Sequence, residues 1–328
     1  MKGNTLDGFK GLALGALRLF KPLFGATLML SVTEKCQGRC ARCAVRRQGP
    51  SSEPELSDEE IKKLLAEISR LGAREVSFFG GEPLLRPGLP GLVRSARELG
   101  LRATLTTNGL LLDKAAALEL AAAGLTGAGV SLDDPSAEIH DRERGLPGLW
   151  DKASAAVKHL VAAGVQADVS FCATKERLRD GRAAEMVLLA EKLGARLRIL
   201  SPMRAGSWDG SAEEVLTPAD IKILRSLLAP GKAHWVVSPA NTPDTTFICA
   251  SFCRWKIDVT ASGDVVPCTY FPVPFGNIRR EGVRESVRRM WNSPLYKDFK
   301  GSQDCPLNDP SFRELRSDLF EALRKPRA

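Results

Sequence analysis

The residues of this chain best suited to chemistry are its cysteines. There are eight among 328 residues: Cys36, Cys40, Cys43, Cys172, Cys249, Cys253, Cys268 and Cys305. Three crowd one short stretch, Cys36-Gln-Gly-Arg-Cys40-Ala-Arg-Cys43, four lie toward the C-terminus, and Cys172 stands alone. A disulfide framework belongs to small secreted chains; in a long chain with no evident signal peptide, thiols read better as a metal inventory. The split into three and four predicts two metal sites separated by a long scaffold. Scattered buried thiols that act as small hydrophobes are the plainer explanation. It does not suit the first group, whose surroundings are polar and glycine-containing. Three thiolates at Cys-x3-Cys-x2-Cys spacing suit zinc or an iron–sulfur cluster. Structural zinc takes four ligands, and no fourth cysteine or histidine lies nearby in sequence. A cubane takes one ligand per iron, so three cysteines leave one iron open.

Something must hold those thiols, and the periodicity of the chain supplies it. Strands are predicted over 27–32, 75–79, 101–106, 127–132, 165–171 and 196–200. Helices are predicted over 57–71, 89–99, 113–124, 148–163, 181–194 and from Thr217-Pro218 onward. Ser57 with Glu60 forms a capping box above an apolar stripe of Ile61, Leu64, Leu65 and Ile68. Six strands alternating with helices predict a parallel α/β sheet with right-handed crossovers. Six is short of the eight in a closed barrel, which leaves a (β/α)6 partial barrel or an open doubly wound sheet.

In either architecture ligands bind at the carboxyl ends of the strands, and the unusual residues fall there. The Cys36 group follows strand one. Gly80-Gly81-Glu82-Pro83 follows strand two, and Thr107-Asn108 closes strand three. Ser131 and Asp133 end strand four, Cys172 ends strand five, and Arg204 follows strand six. Each alone is ordinary turn chemistry; six at one rim are hard to assign to chance.

The cysteine loop together with Gly80-Gly81-Glu82-Pro83 resembles the radical S-adenosylmethionine (SAM) superfamily, whose fold is a partial (β/α)6 barrel. The resemblance covers roughly residues 26–310 and implies a [4Fe–4S] cluster on Cys36, Cys40 and Cys43. The open iron would chelate SAM, and one electron would cleave it to a 5′-deoxyadenosyl radical that abstracts a substrate hydrogen. By the same motifs, Gly80, Gly81 and Glu82 match the edge that binds the methionine amino group. Thr107 and Asn108 match the end of strand three near the ligand's polar groups. Ser131 and Asp133 match the ribose- or carboxylate-binding end of strand four, inside a run with His140-Asp141-Arg142. Two departures stand out. Arg42 precedes the third cysteine where many members place an aromatic, so its guanidinium is expected to stack on the adenine or to leave that contact to another residue. Asp134 stands where a glycine often follows Asp133.

The C-terminal cysteines, Cys249, Cys253, Cys268 and Cys305, surround a predicted hairpin, 255–260 and 264–267, turning at Ser262-Gly263. This resembles the family's SPASM or Twitch auxiliary-cluster domains, the shorter form being closer. Four thiolates suit a second [4Fe–4S] cluster; the same four suit zinc on spacing alone. The division expected is an N-terminal amphipathic helix (1–25), the barrel (26–240), the auxiliary domain (241–310) and a C-terminal helix (311–328).

Cys172 is a candidate hydrogen-atom donor to a substrate radical, against an ordinary buried thiol. Arg204 is a candidate grip on a SAM or substrate carboxylate, against a surface ion pair. The apolar fraction of 44%, with 26% charged residues, excludes a disordered chain. No apolar run is long enough to span a bilayer. The net charge of +8 is dispersed, so no nucleic-acid partner is expected. A cytoplasmic location follows, with peripheral membrane contact left open by the basic N-terminal helix. The resemblance implies an electron donor such as flavodoxin or ferredoxin. A small organic molecule or lipid precursor is expected as substrate, because a separate leader-binding domain has no evident room; a peptide or protein is the alternative. A non-catalytic iron–sulfur electron carrier is a further class, disfavoured because it has no use for the Gly80–Pro83 edge.

Overall fold

The computed structural model describes residues 22–43, 53–208, 212–236, 249–297, 299 and 305–324. The expected amphipathic helix of residues 1–25 lies almost wholly outside them. Strands β1 (Thr27–Ser31), β2 (Glu75–Phe79), β3 (Arg102–Thr107), β4 (Gly127–Ser131), β5 (Gln166–Cys172), β6 (Arg196–Leu200) and β7 (Ala233–Trp235) alternate with helices. The helices between β1 and β4 are α1 (Asp58–Arg70), α2 (Leu89–Glu98) and α3 (Lys114–Ala122). Between β4 and β7 come α4 (Ala137–Arg144), α5 (Leu149–Ala162), α6 (Lys175–Arg179), α7 (Arg182–Lys192) and α8 (Pro218–Ser226). The short strands β8 (Lys256–Val259) and β9 (Val265–Val266) precede α9 (Gly282–Asn292), α10 (Pro294–Lys297), α11 (Pro310–Leu315) and α12 (Ser317–Arg324).

All nine strands form one open sheet in the order β7-β6-β5-β4-β3-β2-β1-β8-β9. Every pairing is parallel except that of β8 with β9. Two features go beyond the six-strand expectation. A seventh parallel strand, β7, extends the sheet past β6. The C-terminal hairpin does not stand apart: β8 pairs with β1, Thr27 opposite Lys256 and Met29 opposite Asp258, so both cysteine groups hang on neighbouring strands.

Sequence pattern explains the layering. Leu28, Leu30, Val76, Phe78, Ala103, Leu105, Val130, Val169, Phe171, Leu197 and Ile199 alternate along the strands and are buried in one core with the helix stripes. In α1 the stripe is Ile61, Leu64, Leu65 and Ile68, and the Ser57–Glu60 capping box is formed as expected. The residues between them face the barrel interior and are mostly polar, Ser31, Ser77, Thr104, Thr106, Ser131, Asp168, Ser170, Arg196, Arg198, Lys256 and Asp258, with Met29, Phe79 and Leu200 as apolar exceptions. Parallel strands covered on both faces are normally apolar throughout. The polar inner row therefore marks a surface kept for something other than packing.

Candidate active site

The loop after β1 carries Cys36, Cys40 and Cys43, and five backbone hydrogen bonds to three other segments hold it. Gly81 N–H donates to the Thr33 carbonyl and Glu82 N–H to that of Lys35, each at 2.8 Å. A Cβ on Gly81 would lie 2.2 Å from Lys35 O, and one on Gly80 (φ +154°) 2.4 Å from Thr33 O. The glycines are thus required by the close approach of two backbones. On the other side Arg39 N–H donates to Arg144 O and Ala41 N–H to Glu143 O. Ser207 N–H donates to the Cys43 carbonyl at 3.0 Å, tying in the segment after β6.

Glu82 is buried and fully engaged. Its carboxylate accepts from Thr107 Oγ1 (2.6 Å), Asn108 N (2.8 Å) and Leu84 N (3.2 Å). Burial nonetheless pushes its carboxyl above the usual range, the hydrogen bonds opposing the shift. Glu82, Thr107 and Asn108 therefore meet as anticipated, but largely to fix one another and the glycine turn. Asn108 Oδ1 also accepts from Leu110 N at 2.9 Å.

Asp133 has a partner that sequence reasoning missed. Its Oδ2 accepts from Arg144 Nε (2.8 Å) and Nη2 (2.5 Å), and its Oδ1 from Cys172 N (3.2 Å). Despite burial, Arg144 and Arg177 hold the Asp133 carboxyl below its ordinary value. Arg144 in turn brings Nη1 to 4.0 Å from Cys40 Sγ. The only available sequence signal was its place just before the Gly145 C-cap of α4. His140 braces this loop as expected, its Nδ1 accepting from Asp133 N–H at 3.2 Å. Asp134, the acid in the glycine position, is absorbed by Arg177 (3.3 Å) and Arg182 (2.6 Å). Arg177 also reaches Glu143, which pairs with Arg42 at 2.7 Å. The Arg42 guanidinium lies 5.3 Å over the Trp208 ring, so this aromatic comes from the segment after β6 rather than from the cysteine loop. Cys172 sits at the inner end of β5, and burial with the Asp133 charge pushes its thiol up to about 12. It is held as S–H. Arg204 docks on the C-terminal segment through its backbone, with Asn308 Oδ1 accepting from Arg204 N at 3.0 Å.

The loop fits a bound cluster. Gly38 sits between two of the thiols, a Cβ there coming to ordinary contact distance, 3.6 Å, from both Cys36 Sγ and Cys40 Sγ. Beside it the Gln37 side-chain amide is buried with no hydrogen-bond partner on either atom. Among the described residues no three Cys, His, Asp or Glu side chains converge on a single ion. A cubane does not require that, since each thiolate takes its own iron.

The second site surrounds the hairpin. Cys249 lies near Cys253 and Cys268. Lys256 Nζ stands 3.6 Å from Cys268 Sγ and 3.1 Å from Asp258 Oδ2. Asp258 is fully buried, and its Oδ1 accepts from Thr269 N (2.9 Å) and Oγ1 (2.5 Å). These anions hold the buried Lys256 ammonium above its ordinary pKa. The buried Tyr296 hydroxyl, beside the same thiols, has no partner. Phe252, Tyr296, Phe299 and Phe312 stack and tilt around the site, the closest centroids being 4.2 Å apart.

Comparison with known proteins agrees with this geometry. Residues 30–190 match the model of the radical SAM superfamily, and residues 249–322 that of an iron–sulfur cluster-binding domain, SPASM. An AdoMet-dependent heme synthase of Oleidesulfovibrio alaskensis is 34% identical over 304 residues, 83% of this chain and 76% of that protein. A PqqA peptide cyclase of Gluconobacter oxydans is 29% identical over 293 residues, 85% and 80% of the two chains. An Fe-coproporphyrin III synthase of Methanosarcina barkeri is 36% identical over 163 residues, which span 50% of this chain and only 41% of that protein. The structure of Streptococcus suis SuiB bound to precursor peptide SuiA superposes with a TM-score of 0.67 at 17% identity, covering 90% of this chain and 72% of SuiB, and shares the fold.

The chain belongs to the radical SAM superfamily and carries its SPASM auxiliary domain. Its cofactors are SAM and two iron–sulfur clusters. No helix among the described residues is long and apolar enough to cross a membrane.

Proposed function

We propose that this chain is a radical SAM enzyme that modifies a peptide or protein. Bound at Cys36, Cys40 and Cys43, the [4Fe–4S] cluster with SAM supplies the radical that removes a hydrogen atom. The chain's own residues do the rest. The Gly80–Glu82 turn, braced by Thr107 and Asn108, fixes the cysteine loop and presents backbone groups to the SAM amino end. Ser131 and the Asp133–Arg144 pair supply polar groups at the end of β4. Cys172, protonated at the same rim, is placed to return a hydrogen atom. The four C-terminal thiols would hold the auxiliary cluster, which would accept the substrate's electron in a net oxidation; hydrogen return from Cys172 belongs to the alternative, redox-neutral outcome. Flavodoxin or ferredoxin remains the proposed reductant.

The observation that carries this reading is the polar inner face between two cysteine sites on neighbouring strands. The peptide cyclases among the relatives support a peptide over the small molecule or lipid precursor expected from the lack of evident room for a leader-binding domain. A second reading, oxidation of a tetrapyrrole side chain, is favoured by the 34% match along most of the heme synthase. The test is anaerobic incubation of the reconstituted protein with dithionite and SAM. Formation of 5′-deoxyadenosine, stimulated by a precursor peptide encoded beside the gene, is expected. No 5′-deoxyadenosine under any condition sinks the enzyme reading; stimulation only by Fe-coproporphyrin III selects the tetrapyrrole.

A further inference from the structure

The barrel interior holds a guanidinium, that of Arg198, that no acid among the described residues neutralises. Arg198 lies at the middle of β6 on the inner face, opposite Ser170 of β5. Its side chain crosses β5 and β4. Nη1 approaches Ser170 Oγ at 3.5 Å and Thr106 Oγ1, on β3, at 3.4 Å. The crossing is possible because Gly129 of β4 has no side chain: a Cβ there would lie 3.0 Å from Arg198 Nη1 and 2.7 Å from Ser170 Oγ. The other inner-face acids are already matched. Asp168 takes Arg196 (2.8 Å), Glu75 takes Arg102 (3.2 Å), and Asp258 takes Lys256 (3.1 Å). Among the described residues no carboxylate lies within ion-pair distance of Arg198, and its side-chain contacts there are two long ones to hydroxyls. The residue is half-buried, so its charge is partly stripped of water without a counter-ion.

We infer that Arg198 anchors a carboxylate of the substrate inside the barrel, flanked by Thr106 and Ser170. A planar fork of donors with no acid partner is the arrangement that takes a carboxylate bidentately. This rests on the proposed function in one respect, that the substrate enters the barrel. Two sources carry the same chemistry, an acidic or C-terminal group of a peptide and a propionate of a tetrapyrrole.

The test is equilibrium binding to the cluster-loaded protein without reductant. The probes are a Glu-containing peptide library against its Gln counterpart, and Fe-coproporphyrin III against its tetramethyl ester. A preference of about tenfold for one acidic probe over its neutral partner is expected, as is loss of that preference in Arg198→Gln. Arg198→Lys should keep part of it. Gly129→Ala, which leaves the charge but displaces it, should weaken acidic probes selectively and guards against misfolding of the first variant. SAM affinity should not change in Arg198→Gln. The inference is overturned by absence of either preference in the wild type, by its persistence in Arg198→Gln, or by loss of SAM affinity in that variant. Because no turnover is read, these outcomes are separable from the 5′-deoxyadenosine assay: turnover without acid preference removes this inference alone.

Discussion

The two cysteine sites hang on adjacent strands yet are built differently. The N-terminal loop has little core of its own. It is positioned by backbone contacts to Gly80–Glu82 and to residues 143–144, and its cation, Arg144, is held by Asp133. In the C-terminal site Phe252, Tyr296, Phe299 and Phe312 pack on one another while Cys253 stays exposed, and the cation, half-buried Lys256, sits on the buried Asp258. Both place one positive charge against one thiol, Arg144 on Cys40 and Lys256 on Cys268. The difference is what surrounds the pair. A site that admits a cofactor must keep one side open, so it is framed by backbone; a site that takes all its ligands from protein can be packed with rings.

The largest expected effect separates the sites by chemistry. Cys40→Ala should abolish 5′-deoxyadenosine formation and leave about four irons per chain, whereas Cys268→Ala should keep SAM cleavage and lose substrate turnover. Equal loss of SAM cleavage in both would dissolve the distinction. Next is the burial of the cations. Lys256→Met strands the Asp258 carboxylate and should lower stability by about 3–5 kcal/mol, measured by denaturant titration. Arg144→Met, whose acid Asp133 is 12% exposed against 1% for Asp258, should cost less while disturbing the first cluster's EPR signal more. A smaller effect probes the backbone frame: Gly81→Ala drives a Cβ into Lys35 O and should cost about 2–4 kcal/mol, with iron lost from the first site before the second.

The smallest tests what joins the two sites. Arg279, between the hairpin and α9, donates from Nε to Glu60 Oε1 at 2.6 Å and from its Nη atoms to the Pro54 and Glu55 carbonyls. Glu60 is held down to about 2 by Arg279 and the Ser57 cap. A depressed carboxylate stabilises above its ordinary pKa and loses that contribution as pH falls through the folded value. Arg279→Met should therefore lower stability by about 1–2 kcal/mol at neutral pH. The gap from wild type should close as pH falls from about 4.5 toward 2. A gap that persists at the acid end would show that packing, not the ion pair, carries the joint.

Much of this was legible in the chain. Local signals fixed β2 and β6 to the residue, the caps at Ser57, Asp113 and Thr217, and the hairpin around Gly263. Those depend on side-chain period and on hydrogen bonds a few residues apart. The strand β7 was not legible, because three residues carry too little pattern, and neither was α6. The roles of Asp133 and Asp134 were half legible. Their motif placed them at the rim, but their partners Arg144, Arg177 and Arg182 are 10 to 50 residues away and one arginine looks like another in sequence.

By itself the sequence determined where the metal-binding thiols lie; the iron–sulfur class followed from the resemblance of the Cys36 loop and the Gly80–Pro83 edge to a family, because four thiols suit zinc equally on spacing alone. It also determined the alternating strands and the rim on which the motifs fall. Only the tertiary structure decided that β8 joins β1, so that both cysteine groups share one sheet. It alone decided which inner-face cations, among the described residues, are neutralised and which is not. Charge pairing depends on distances between strands far apart in the chain, and Arg198 stands out only once Asp168, Glu75 and Asp258 have been seen to be taken.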